Sequence, residues 1–121
     1  MDWDDYIEFG KKALNWGSNY RKSIRQYPVR SSLKPGHVYN SIPDSPPEDP
    51  ESLDEIFNDF KTKIVPGITH WQHPRFFAYF PSNAAPASVF AEMLANTMGS
   101  QCMLWQTSPA ATELEEKIIE W

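Results

Sequence analysis

The chain has 121 residues, the size of one ordinary domain or of a piece of a larger protein. Aromatic residues make up 14% of it, which argues against disorder, because so many apolar rings need a core or a partner surface. The net charge is −5 and Lys and Arg are not concentrated anywhere, so nucleic acid is not an expected partner. No apolar run approaches the ~20 residues of a membrane-spanning helix. The acidic N-terminus is unlike a secretory signal, and we expect a cytoplasmic protein without a membrane partner.

Residues 3 to 26 are predicted to form the first helix. Apolar side chains recur there at helical spacing, at Trp3, Tyr6, Ile7, Ala13, Leu14, Tyr20 and Ile24. Gly10 and Gly17 lie on the same stripe, and we expect them to allow close packing against another element. Pro28 should end the helix, because the residue before a proline avoids the helical region.

Residues 28 to 50 contain six of the eleven prolines. We expect an extended, polyproline-like strap that lies over a surface, with a turn at Lys34-Pro35-Gly36. A flexible linker between two domains is the alternative interpretation. The first helix by itself is too small to be a domain.

A second helix is predicted from Leu53. Ser52 and Glu55 have the spacing of a capping box, in which hydroxyl and carboxylate each bond a free backbone N–H of the first turn. The predicted apolar face consists of Leu53, Ile56, Phe57, Phe60 and Ile64. Val65-Pro66-Gly67 should end the helix.

Residues 68 to 81 have neither a helical face nor a clean alternation, so we expect an extended segment. Five of the residues 71 to 80 are aromatic. Their rings could seal a core, or they could form one wall of an aromatic ligand pocket with Ser82 as a polar group at its end. Composition leaves both possibilities open.

Two more helices are predicted in the last third of the chain. Pro86 is suited to the first position of a third helix, and Gly99 can end it. Ser108-Pro109 is a second start signal of a cap followed by proline. The fourth helix runs to Trp121 without a stop signal, so we expect the chain to be the N-terminal part of a longer polypeptide. Every predicted helix has an apolar face to bury, on the rest of the chain, on a second subunit, or on both.

Few residues suggest chemistry by themselves. His70 and His73 lack the third and fourth ligand that a metal site needs, so we expect ordinary hydrogen bonds beside aromatic rings and no metal. Cys102 is the single cysteine, which excludes an internal disulfide, and its apolar neighbours suggest burial. The glycines are scattered, and no phosphate-binding loop is present.

Three motifs, in the same order, resemble those of group II pyridoxal-phosphate-dependent decarboxylases, the aromatic-L-amino-acid decarboxylase family. Residues 70–81 match its H-W-x-x-P-x-F-F-A-Y-F-P signature. Residues 66–69 match the P-G-x-T before it, and residues 105–115 match the W-x-x-S-P-A-x-T-E-L-E after it. The resemblance covers essentially the whole chain.

The resemblance implies a fold-type I enzyme that is α/β as a whole and works as an intertwined homodimer. The chain itself is then mainly α. Residues 1–85 would form the N-terminal helical flap, with the proline-rich strap and the aromatic extended segment. Residues 86–121 would be the first helices leading into the large domain that binds pyridoxal 5'-phosphate.

The resemblance also implies roles for individual residues. Those that match substrate-pocket positions are Trp71, Tyr79, Phe80, Pro81 and Ser82, the last where many members have Thr. Gln101 and Met103 match positions that reach into the pocket of the neighbouring subunit. The lysine that forms the Schiff base with pyridoxal 5'-phosphate is expected beyond Trp121. No catalytic residue is therefore expected in this chain, which should be inactive alone.

The predicted function is that of a carboxy-lyase of amino-acid metabolism, a decarboxylase acting on tyrosine, DOPA or tryptophan. An aldehyde synthase of the same family, which deaminates its substrate oxidatively, is one alternative. A non-catalytic helical interaction module is another. The residues that would separate the two reactions are expected outside this chain.

Overall fold

The computed structural model describes residues 3–80 and 83–121, and within these ranges the regular structure is helical, without a strand. The α-helices in these ranges are α1 (Trp3–Ser23), α2 (His37–Ser41), α3 (Leu53–Asp59), α4 (Pro86–Met98) and α5 (Pro109–Ile119). The mainly α fold predicted from the sequence is confirmed for these ranges. The chain divides into two units, Met1–Ser82 and Asn83–Trp121, and each is described by itself.

Helix α1 follows the predicted periodicity and ends in a 3-10 turn, Ile24–Gln26. Tyr27 is extended, with φ −82° and ψ 152°, as expected for a residue before proline. Acidic residues occupy the first turn of α1, and Arg21 and Lys22 the last, which suits the helix dipole.

Helix α3 begins at the predicted capping box. Ser52 Oγ accepts from the N–H of Glu55 at 3.2 Å, and the N–H of Ser52 donates to Glu55 Oε2 at 3.1 Å. The helix continues to Ile64 as predicted, but its last part, Phe60–Ile64, is a π-helical turn, and a 3-10 turn follows at Val65–Gly67. Pro66 has no N–H to continue the α-helical pattern, and the widened turn precedes it.

Aromatic contacts join α1 to α3 and to the π-helical turn that follows it. Phe9 meets Phe57 edge-on at 5.6 Å between ring centroids, and Trp16 meets Phe60 at 5.0 Å. Such edge-to-face pairs are favourable beyond the apolar area they bury. Lys12 Nζ lies 2.9 Å from Asp54 Oδ1, an exposed ion pair that joins the same two helices.

A second face of α1 stays uncovered by the described residues. It consists of Trp3, Ile7, Gly10, Leu14 and Gly17, which we call the α1 stripe. Its three large side chains are exposed, and a Cβ added at either glycine would meet nothing within 4 Å. The close packing expected at the glycines is therefore not made within the described chain. The stripe lies about 130° around the helix from Phe9 and Trp16, which face α3.

The proline-rich segment is a strap with a short helix in it. The expected turn at Lys34-Pro35-Gly36 is present, but the short helix α2 that follows Gly36, at φ 85°, was not expected in an extended segment. The hydroxyl of Ser31 donates to the carbonyl of Pro66 at 2.7 Å, and the N–H of His70 donates to the carbonyl of Val29 at 2.9 Å. These bonds favour a strap over a flexible linker.

The helices of the second unit begin at the predicted signals, and α4 also ends at one, whereas α5 ends at Ile119 and does not run to Trp121 as expected. Pro86 and Pro109 stand in the first turns of α4 and α5. Gly99, with φ 60°, ends α4 and donates its N–H to the carbonyl of Ala95. Ser108 precedes α5, but its side chain makes no capping bond, because its backbone has φ −157° and ψ 81°. No helix among the described residues is both long and apolar enough to cross a membrane.

Candidate functional site

The segment from His70 to Phe80 begins with two buried histidines. The side chains of His70 and His73 are 1% and 3% exposed. The N–H of His73 donates to the carbonyl of His70, and that of Phe76 to the carbonyl of His73, both at 2.9 Å. The prediction of an extended segment is therefore wrong here, and residues 70–76 form two successive turns. Pro74 takes the second position of the later turn, where its fixed φ is favourable.

His70 lies in a cage of aromatic rings. Its Nδ1 is 2.7 Å from the hydroxyl of Tyr20 on α1, and the ring of Tyr27 lies 4.8 Å from its own. Burial lowers the pKa of His70, with a smaller effect of His73. Burial also raises the pKa of Tyr20. Both groups are therefore neutral near pH 7, and the predicted hydrogen bond of His70 beside aromatic rings is confirmed.

His73 is held by the backbone rather than by a ring. Its Nδ1 accepts from the N–H of Arg75 at 3.0 Å, which places the proton of the neutral ring on Nε2. Nε2 is buried and has no hydrogen-bond partner among the residues that the structure describes. The Nε2–H of His73 is thus a buried donor without an acceptor among the described residues.

Three aromatic side chains of the same segment are exposed. Trp71, Tyr79 and Phe80 are 42%, 83% and 97% exposed. The rings of Trp71 and Tyr79 stack at 5.7 Å with an angle of 17°. Tyr79 has φ 56°, a left-handed conformation that costs a side-chain-bearing residue about 1–3 kcal/mol. In the described chain these rings do not seal a core.

The other predicted site residues are placed only in part. Pro81 and Ser82 lie outside the described residues. Gln101 and Met103 lie between α4 and α5 and are exposed. Cys102 between them is exposed as well, so its expected burial is wrong, because the apolar neighbours in sequence do not fold over it.

The described residues do not fit the task of holding pyridoxal phosphate covalently. Such a lysine needs a desolvated setting that lowers its pKa. Lys12, Lys63 and Lys117 make ion pairs, and Lys61 lies 5.1 Å above the ring of Phe57. The other three lysines are exposed. No group of three His, Cys, Asp or Glu side chains is arranged for a metal in the described ranges.

Sequence reasoning missed the partners of His70. The sequence predicts Tyr20 on the apolar face of the first helix and Tyr27 only as the residue before Pro28 at the helix end. Both contribute to the cage. A cleft of about 450 Å³ opens beside it, lined by Trp16, Tyr27, Lys61 and His70 among others. Periodicity could place Tyr20 on the inner face of α1, but it could not identify a partner 50 residues away.

Known proteins resemble this chain over its whole length. The pyridoxal-dependent decarboxylase conserved domain matches residues 35–121. Phenylacetaldehyde synthase of Arabidopsis thaliana is 44% identical over 121 residues, and tyrosine decarboxylase 2 of Narcissus pseudonarcissus is 43% identical over the same length. The crystal structure of Catharanthus roseus tryptophan decarboxylase in complex with L-tryptophan superposes on all of this chain with a TM-score of 0.93 at 35% identity.

These three relatives cover all of this chain, but the chain spans only about a quarter of each of them: 25%, 24% and 26% of their lengths. The predicted fold, that of the N-terminal helical part of a fold-type I enzyme, is confirmed by the structural likeness.

Proposed function

The chain belongs to the family of pyridoxal-dependent decarboxylases, and on that premise we propose that the complete protein decarboxylates an aromatic L-amino acid. The observation that carries the substrate class is that Trp71, Tyr79 and Phe80 are exposed, in a segment that two buried histidines anchor. Exposed, mutually stacked rings form a surface suited to another aromatic ring. The similar enzymes are named for tyrosine, tryptophan or phenylacetaldehyde, which agrees with this class.

Pyridoxal phosphate, held by residues outside this chain, would supply the electron sink for cleavage at the α-carbon. The part of this chain is to bind the aromatic side chain of the substrate and to exclude water around it. Trp71, Tyr79, Phe80 and Pro81 would form the wall, and Ser82 would donate or accept a hydrogen bond at its end.

The complete protein works as a homodimer in this proposal. The α1 stripe is an apolar helix face that nothing in the described chain covers, and its two open glycines would let another element approach closely. Residues 1–85 would be the flap that covers the second subunit, and residues 86–121 would lead into the large domain. Gln101 and Met103, both exposed, would then reach the substrate pocket of the second subunit.

Expression of the complete reading frame with pyridoxal phosphate tests this function. Tyrosine, DOPA and tryptophan are supplied separately, and amine and carbon dioxide are measured. Glutamate and leucine serve as non-aromatic controls. We expect amine from at least one aromatic substrate and none from the 121-residue chain alone. Turnover of the controls alone would contradict the assignment.

An aldehyde synthase is the second candidate, because the similarity to phenylacetaldehyde synthase is as high as that to a decarboxylase. The two reactions differ in their need for an oxidant. Amine, aldehyde and dioxygen consumption should therefore be measured in the same reaction. Aldehyde formed with uptake of dioxygen would identify a synthase, and amine without uptake a decarboxylase.

A non-catalytic interaction module stays the third possibility. A complete protein that binds a decarboxylase but converts no amino acid would favour it. The cytoplasmic location also stays a prediction, which imaging of the tagged complete protein would test.

A further inference from the structure

We propose that Tyr20 is a positioning residue for substrate binding, which it serves by holding the aromatic segment in place through His70. This inference rests on the proposed function, since it gives the segment its role as substrate wall. Tyr20 stands on α1 and touches none of the exposed rings in the described contacts. It acts through its hydrogen bond to the buried His70.

A continuous set of bonds leads from Tyr20 to the exposed rings. The hydroxyl of Tyr20 bonds Nδ1 of His70 at 2.7 Å. The carbonyl of His70 accepts from the N–H of His73, and the carbonyl of His73 accepts from the N–H of Phe76. The ring of Phe76 lies 4.8 Å from that of Trp71. Displacing His70 would therefore displace both turns and the rings above them.

Tyr20 is itself fixed in position. Its ring stacks on Trp16 at 5.3 Å with an angle of 15°, and Trp16 meets Phe57 of α3 edge-on at 6.2 Å between ring centroids. The position of its hydroxyl is thus set by the contact between α1 and α3. A buried imidazole that loses its partner bears the desolvation penalty of an unpaired polar atom, so the bond is costly to break.

The exposed part of the segment depends on the position of His70. Tyr79 and Phe80 are 83% and 97% exposed, so neither is held by burial, and Tyr79 also adopts a left-handed backbone conformation. The contacts that restrain Tyr79 run through Trp71, which follows His70 directly. Loss of the Tyr20 hydroxyl should loosen the wall while leaving the chemistry at the α-carbon unchanged.

Tyr20→Phe in the complete enzyme is the test, because it removes one oxygen and keeps the ring. Tyr39→Phe, on an exposed tyrosine of α2, is the matched control. Amide hydrogen exchange of His73, Arg75 and Phe76, whose N–H groups are all hydrogen-bonded within the two turns, reports the anchoring without reference to activity. We expect about three- to tenfold faster exchange there in Tyr20→Phe and no change in Tyr39→Phe.

Steady-state kinetics report the positioning. We expect Tyr20→Phe to raise KM for the aromatic substrate by about three- to tenfold with kcat within about twofold. His70→Asn can present a polar atom near the position of Nδ1 and should keep more of the affinity than His70→Leu.

Unchanged exchange in Tyr20→Phe would overturn the inference, and so would faster exchange with unchanged KM or a loss confined to kcat. A wild-type enzyme that converts no aromatic amino acid would instead refute the proposed function, and the inference with it. That result is seen before any variant is made, so the two failures are distinguishable.

Discussion

Val38 lies so close to Gly67 that a Cβ on the glycine would sit 2.7 Å from Cγ2 of the valine. Helix α2 of the strap therefore rests directly on the backbone of the turn that ends the α3 region. The same turn leads within three residues to His70. The strap thus helps to set where the aromatic segment begins.

Gly67→Ala should loosen α2, because the stiff side chain of Val38 would have to move away from the new methyl group. We expect a cost of about 1–3 kcal/mol, seen as faster hydrogen exchange in residues 37–41 of the complete protein. In a Val38→Ala background the side chain that meets the new methyl is shortened, and Gly67→Ala should then change exchange in α2 little further. Equal effects of Gly67→Ala in the two backgrounds would contradict the contact.

Ser82→Ala should weaken substrate binding more than folding, because Ser82 is proposed to hydrogen-bond the substrate. The expected rise in KM is about two- to tenfold, the range of one lost hydrogen bond. Ser45→Ala in the strap is the control for a lost hydroxyl elsewhere. Unchanged kinetics in Ser82→Ala would remove this residue from the pocket.

Acid should weaken the first unit through His70. Its pKa in the folded chain lies below the ordinary 6.5, so the unfolded chain binds more protons in that interval. The stability that depends on neutral His70 is complete above pH 6.5 and is lost as the pH falls through the folded value. The difference in unfolding free energy between wild type and His70→Asn should therefore shrink between about pH 7.5 and 5.5.

The control for this titration is Asn40→Ala, at an exposed residue of α2 that has no titratable group. Its difference from wild type should not change over the same range. A constant difference for His70→Asn as well would mean that another group causes the acid sensitivity.

Ile7→Glu should weaken the proposed dimer, because it places a charge in the α1 stripe. Losing the burial of one isoleucine raises the dissociation constant by about tenfold or more, which ultracentrifugation of the complete protein would measure. Asn19→Glu makes the same charge change on the opposite side of α1 and should leave the dimer intact. A dimer unaffected by Ile7→Glu would place the contact elsewhere.

Mixing two impaired variants should restore activity if each pocket uses both subunits. Tyr79→Ala and Met103→Glu each damage one wall, and their heterodimer would contain one site with both changes and one with neither. Random mixing should then recover about a quarter of wild-type activity. If Met103 served the pocket of its own subunit, every site would carry a change and mixing would recover nothing.

Local signals were enough to place several boundaries from the sequence. The capping box at Ser52, the prolines at 86 and 109 and the stop at Gly99 depend on residues within one turn. The bends in residues 60–76 could not be predicted in this way. The bends at residues 60–67 lie around Pro66, and the turns at residues 70–76 contain the buried His70 and His73. Neither feature produces a periodic pattern of apolar residues in the sequence.

The sequence by itself determined the helical character of the chain and its family, since periodicity, caps and the motifs at residues 66–69, 70–81 and 105–115 are written in neighbouring positions. The tertiary structure alone decided that Tyr20 meets His70, that both histidines are buried and that the rings above them face outward. Those facts depend on how α1 packs against a segment 50 residues further along the chain, and packing at that distance is set by the shapes of whole elements rather than by any local pattern.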